Sequence, residues 1–190
     1  MKVKNKVIFN GIIIIIIINL LLISDIVVCC VLGWQGVWFA LFVTLLMFAY
    51  HFDTRAIIGV IFTKFVRPHI NVNRKLWSIS DKEFARLNRL RVKEWKDRYI
   101  TIDKSQFVVG FCKNDILIES ALKYNISAEI IHWTCFFVGF LSIPIGLVIS
   151  SSEWYIYVVT AVFASLFCDF LPILIQRYNR YRLNRIYKTK

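Results

Sequence analysis

Charge is scarce in this chain of 190 residues: Asp, Glu, Lys and Arg make up 19% of it, too little for a chain that is 58% hydrophobic to be an ordinary soluble domain. Acidic residues are the rarer sign, 12 against 24 Lys and Arg, and the net charge of +12 lies outside the apolar runs, as in a membrane protein with basic flanks. The five cysteines are an odd count, and Cys29, Cys30, Cys135 and Cys168 sit in hydrophobic runs, which excludes a disulfide scaffold and predicts reduced thiols. So high an apolar content also excludes disorder. Absent too are a Gly-x-Ser-x-Gly elbow, a Walker loop, a His-Glu-x-x-His pair and a Cys-x-x-Cys metal pattern, so serine hydrolysis, nucleotide hydrolysis and zinc chemistry lack support. No metal site is expected. No nucleic-acid recognition motif accompanies the basic charge, so nucleic acid is not expected as a partner.

What the chain does hold is long apolar runs, and ~20 such residues suffice to cross a bilayer. Residues 7–32, which include the unbroken Ile12 to Ile18, make the first span; 37–52 the second, 130–149 the third and 154–176 the fourth. The chain therefore reads as one membrane domain over 1–190: an all-α integral membrane protein of four transmembrane helices. A basic, partly helical cytoplasmic segment, 53–128, lies between helices 2 and 3, and a basic tail occupies 177–190. A cleaved signal peptide is disfavoured because the first apolar run exceeds a normal h-region and no small-residue cleavage site follows. Gly33-Trp34-Gln35-Gly36 supplies a tight exterior turn, and Gly139 and Gly146 offer places where helices approach closely. Pro144 and Gly146 predict a kink in the third span.

Positive charge sets the orientation. Lys2, Lys4 and Lys6 precede the first span, 15 basic residues lie between His51 and Ala128, and six lie from Arg177 onward, whereas the exterior loops have no Lys or Arg. Both termini and the central segment are thus expected in the cytoplasm, as four crossings also require. In that segment an amphipathic helix is expected over Ala56 to Phe65, ending at Pro68. A second is expected from an N-cap at Asp81 through Phe84, Leu87, Leu90 and Trp95, with Arg86, Arg89, Lys93 and Lys96 outward. Its basic face suits anionic lipid or, alternatively, a phosphate-bearing substrate such as an acyl donor.

Polar chemistry converges at one end of the bundle. Glu129 and His132, three residues apart, share a face at the start of the third span. Asp169 lies ~10 Å inside the same boundary on the fourth, nearly two turns before Gln176 and Arg177, and an aspartate at that depth needs a partner or water. Together with Asn179 these residues form either a set of helix-end pairs, Glu129 with Arg177, or a proton-transfer site in which His132 is general base and a carboxylate orients its imidazole. Spacing leaves both open.

Three patches carry a family resemblance: Val92-Lys93-Glu94-Trp95-Lys96-Asp97-Arg98, Ala128-Glu129-Ile130-Ile131-His132-Trp133, and Gln176-Arg177-Tyr178-Asn179-Arg180-Tyr181-Arg182. Over roughly residues 75–186 the chain resembles the glycosyl-4,4′-diaponeurosporenoate acyltransferases, small bacterial membrane proteins. It differs from them at Tyr99-Ile100, at Ser127, and at Asp169, where asparagine is commoner. The resemblance implies transfer of a fatty acyl group to a sugar hydroxyl of a glycosylated lipid or carotenoid, as in the last staphyloxanthin-type step, in a bacterial cell membrane. It implies His132, Glu129 and Asp169 as catalytic residues, and Trp95, Lys96, Asp97, Gln176, Arg177, Asn179 and Arg180 as substrate-binding ones. The expected co-substrate is an acyl donor such as acyl-CoA, with no tightly bound cofactor, and the expected partners are membrane lipids and the glycoside acceptor. The rival class is a non-catalytic membrane adaptor that holds anionic lipid or a partner protein on its basic face.

Overall fold

The computed structural model describes residues 2–96, 115–150 and 152–188, which contain helices and connecting turns and no strand. Among the described residues eight α-helices follow in chain order: α1 (Lys2–Leu32), α2 (Gly36–Ile61), α3 (Asp81–Arg89), α4 (Val92–Lys96), α5 (Asp115–Phe140), α6 (Ser142–Ile149), α7 (Trp154–Phe163) and α8 (Leu171–Lys188). Among the described residues four stretches are long and apolar enough to cross a membrane: Ile12–Leu32, Gly36–His69, Ile118–Ile149 and Trp154–Tyr187.

The helices outrun the apolar runs. α2 continues unbroken past His51, so the amphipathic helix expected over 56–65 is its own extension into a π-helical turn, Phe62–Val66. α5 starts at Asp115, well before residue 130, because polar residues in its first half are competent helix formers and Glu119 and Lys123 pair at 2.9 Å one turn apart. On α3 the cap is Ser80 rather than Asp81: its Oγ accepts from the Glu83 N–H at 3.2 Å, and Asp81 is the first helical residue. The single helix expected through Trp95 breaks at Arg91, whose φ of 53° is left-handed, and restarts as α4.

All three prolines follow an irregularity. Pro68 sits in a 3-10 turn after the first π-helical turn, Pro144 follows the break at Leu141, and Pro172 follows a second π-helical segment, Ala164–Phe170. Each lacks the N–H that an α-helix would return to the carbonyl four residues back, so the backbone adjusts around it.

The chain divides into two compact units, Met1–Ile58 with Thr134–Cys168, and Gly59–Trp133 with Asp169–Lys190. In the first, Gly33 ends α1 in the left-handed region (φ 97°) and returns its N–H to the Cys29 carbonyl at 2.9 Å. Asn19 of α1 donates to Asp53 of α2 at 3.2 Å, and Val43, Met47 and Tyr157 form the buried core. Tyr50 donates to the Val138 carbonyl at 2.8 Å, and Arg55 to that of Ala164 at 3.3 Å. Gly146 lies flat against the Tyr157 ring: a Cβ there would fall 2.3 Å from two ring carbons. Gly146→Ala is therefore expected to cost about 1–3 kcal/mol of overpacking, read as a lower unfolding temperature in detergent, whereas Gly59→Ala, with open space around it inside α2, does not lower that temperature.

The second unit is built on the first half of α5 and on α8. One cluster joins Leu87 and Val92 to Ile175 and Tyr178, and another joins Ile118 and Leu122 to Leu183. Phe84 of α3 stacks on Tyr181 with centroids 3.9 Å apart and on Tyr178 at 5.3 Å. These contacts place α3, α5 and α8 around a group of buried polar side chains.

Candidate active site

α5 and α8 present their polar residues as two groups, and both lie in the second unit. The first is ionic. Glu129, 3% exposed, accepts from Arg177 Nη1 at 2.7 Å and from Arg180 Nη1, and Arg180 is itself only 1% exposed. Arg177 also reaches across to α3, where its Nε donates to Glu83 at 2.5 Å. Two guanidiniums thus meet two carboxylates, the balance that makes burying such charges tolerable. Arg180 additionally lies over the Trp77 ring, 6.0 Å from its centroid. One turn back along α5, Asn125 donates its amide to Gln176.

The second group is the one suited to proton transfer. His132 Nδ1 lies 3.4 Å from Oδ1 of Asp169; the aspartate side chain is fully buried and the histidine side chain is 27% exposed. A carboxylate can only accept, so the proton of this contact belongs on Nδ1. That tautomer leaves Nε2 with a free lone pair, the state a general base requires. Asp169 lies in the π-helical segment, a local widening that often marks functional positions in helices.

The sequence-predicted residues are therefore divided, not pooled. His132 meets Asp169, while Glu129, the other carboxylate weighed as its partner, faces Arg177 and Arg180. The helix-end pair of Glu129 with Arg177 exists, and a contact of His132 with a carboxylate exists as well. Gln176 and Asn179 are buried on α8, 8% and 1% exposed. Trp95 and Lys96 close the short α4, with side chains outside the described residues, as Asp97 is altogether. Among the described residues no three His, Cys, Asp or Glu side chains gather in a way that would hold a metal ion.

Glu83 escaped the sequence reading, although it had a signal. A Glu three residues after an N-capping Ser is the capping-box pattern, in which the carboxylate returns to its own helix end. Here the Glu83 side chain turns instead to Arg177, 94 residues away. Trp77 and Asn125 were missed too, since a Trp in a connecting turn and an Asn in a helix have no spacing rule that announces a buried arginine or glutamine partner.

No curated protein and no solved structure matches the chain. Residues 71–189, however, match the family CrtO, glycosyl-4,4′-diaponeurosporenoate acyltransferase. That stretch contains Trp77, Glu83, Asn125, Glu129, His132, Asp169, Gln176, Arg177 and Arg180, every residue of both polar groups, and it covers more than half of the sequence. The chain belongs to the glycosyl-4,4′-diaponeurosporenoate acyltransferase family.

Proposed function

We propose that the protein transfers a fatty acyl group from a thioester donor, acyl-CoA or similar, to a sugar hydroxyl of a glycosylated membrane lipid or carotenoid glycoside, the staphyloxanthin-type step. The observation that carries this reading is the contact of His132 with a buried aspartate in a chain of this family. His132 Nε2 takes the proton of the acceptor hydroxyl as its oxygen attacks the acyl carbonyl. The tetrahedral intermediate then expels the thiolate, which receives that proton from the imidazolium. Asp169 holds the ring through its Nδ1–H. Arg177 and Asn179 are assigned to the developing oxyanion or the donor phosphate, with Arg177 the more accessible because its side chain is 28% exposed. Gln176 and Arg180 shape the wall behind them, and Trp95, Lys96 and Asp97 are assigned to substrate by the family pattern.

Charge supports the orientation. The basic central segment and tail favour a cytoplasmic position for both termini and for the mouth of the site, where a water-soluble donor is met.

The test is lipid extraction and mass spectrometry of membranes that hold the protein, its acceptor and a labelled donor, with Asp169 varied. Asp169→Asn is expected to keep near-normal turnover, because an amide oxygen accepts the Nδ1–H bond. Asp169→Leu loses that acceptor and about 10–100-fold in turnover. Equal losses in the two variants would show that the carboxylate charge itself is required. The absence of any acylated product from the wild type would overturn the reading.

A further inference from the structure

Two open grooves adjoin on α8 and share Tyr181 and Arg185. One is completed by Ser78, Ile79, Asp81 and Asn184, the other by Phe84, Tyr178, Arg182 and Ile186. Their chemistry differs. The second holds two exposed arginines beside aromatic rings and no carboxylate, a setting for phosphate oxygens. The first holds hydroxyl, carboxylate and amide groups, a setting for the hydroxyls and ring nitrogens of a nucleoside. Tyr181 donates to Asp81 Oδ1 at 2.6 Å and stacks on Phe84, which fixes the rim that the two grooves share.

Position along the helix gives the grooves a meaning. Arg177, Tyr181, Asn184 and Arg185 recur at i, i+4, i+7 and i+8, so they share one side of α8, and this row begins at the arginine that Glu129 holds one turn from His132. Tyr181 is twelve residues past Asp169, ~18 Å along the axis. A phosphopantetheine arm runs about 13 bonds from sulfur to phosphorus, ~15 Å at the reach of an extended amide chain. Helical side chains lean toward the N-terminus, so Arg182 and Arg185 reach back over that gap.

We propose that these two grooves bind the donor: phosphates at Arg182 and Arg185, nucleoside between Ser78, Asp81 and Asn184, with the thioester extending toward His132. The donor is then the nucleotide-bearing thioester, because a phosphopantetheine carried on a protein would leave the Asp81 groove empty. This inference rests on the acyl-transfer reading and is separable from it.

The test is binding of coenzyme A, 4′-phosphopantetheine and pantetheine to the full-length protein in detergent, followed by donor kinetics. Coenzyme A is expected to bind tightest and pantetheine weakest. Arg182→Ala/Arg185→Ala should weaken coenzyme A at least tenfold and raise the donor KM in parallel with kcat little changed; Asn184→Ala should weaken coenzyme A but not phosphopantetheine. Equal binding of phosphopantetheine and coenzyme A would overturn the nucleotide assignment, and undiminished binding of coenzyme A to the arginine variant would overturn the site. Loss of acyl transfer in His132→Ala alongside an unmoved donor KM in the arginine variant would remove the grooves and leave the reaction. Tight, arginine-dependent binding of coenzyme A without any acyl transfer would do the reverse.

Discussion

His132→Ala should lower turnover by about two to four orders of magnitude, the usual contribution of a positioned proton acceptor, while the unfolding temperature hardly moves. Both halves follow from one geometry. The imidazole touches a buried carboxylate on one side and is partly open on the other, so its removal deletes a base without opening a core. The check is single-turnover acyl transfer with purified donor and acceptor, set beside a thermal scan in the same detergent. A variant that unfolds early would assign His132 to structure, and one that turns over normally would remove it from the chemistry.

The opposite pattern is expected one turn back on α5. Glu129→Ala strands Arg177 and the 1%-exposed Arg180 beside each other with Glu83 as the remaining carboxylate, and breaking a buried ion pair in this way costs about 3–5 kcal/mol. Denaturation in mild detergent should show that loss directly. Replacing the pair together, Glu129→Leu with Arg180→Leu, should recover most of the stability, because what is costly is the uncompensated charge. Turnover of that double variant should stay far above that of His132→Ala. If instead it folds as well as the wild type and is as inactive as His132→Ala, Glu129 belongs to the reaction rather than to the scaffold.

How much of this was legible beforehand differs from residue to residue. The four stretches long and apolar enough to cross a membrane could be read because lipid demands long apolar runs, and the turn at Gly33 because only a residue without Cβ adopts φ 97° freely. The true lengths of α2 and α5 could not. Hydropathy marks only the apolar part of a helix, whereas Lys123, Asn125 and Glu119 continue α5 by local propensity and pairing. Residues 129, 132 and 169 were foreseen as a convergence, but the choice of partner was not: i and i+3 lie ~60° apart around a helix, enough for one to face arginines and the other an aspartate. Glu83 was invisible as a partner because its contact spans 94 residues of sequence and no periodicity reports on that.

The chain distances inside the Glu129 cluster also set an order of events during synthesis. Glu129 precedes Arg177 by 48 residues and Arg180 by 51, so α5 is made well before either cation exists. At a translation rate of about 5–20 residues per second the carboxylate waits roughly 2–10 s for its counter-ions. Through that interval the nascent helix carries a naked acidic group at the edge of its apolar stretch, and the arrival of α8 converts it from a liability into an anchor. The later-made α8 is thus the helix that allows α5 to settle.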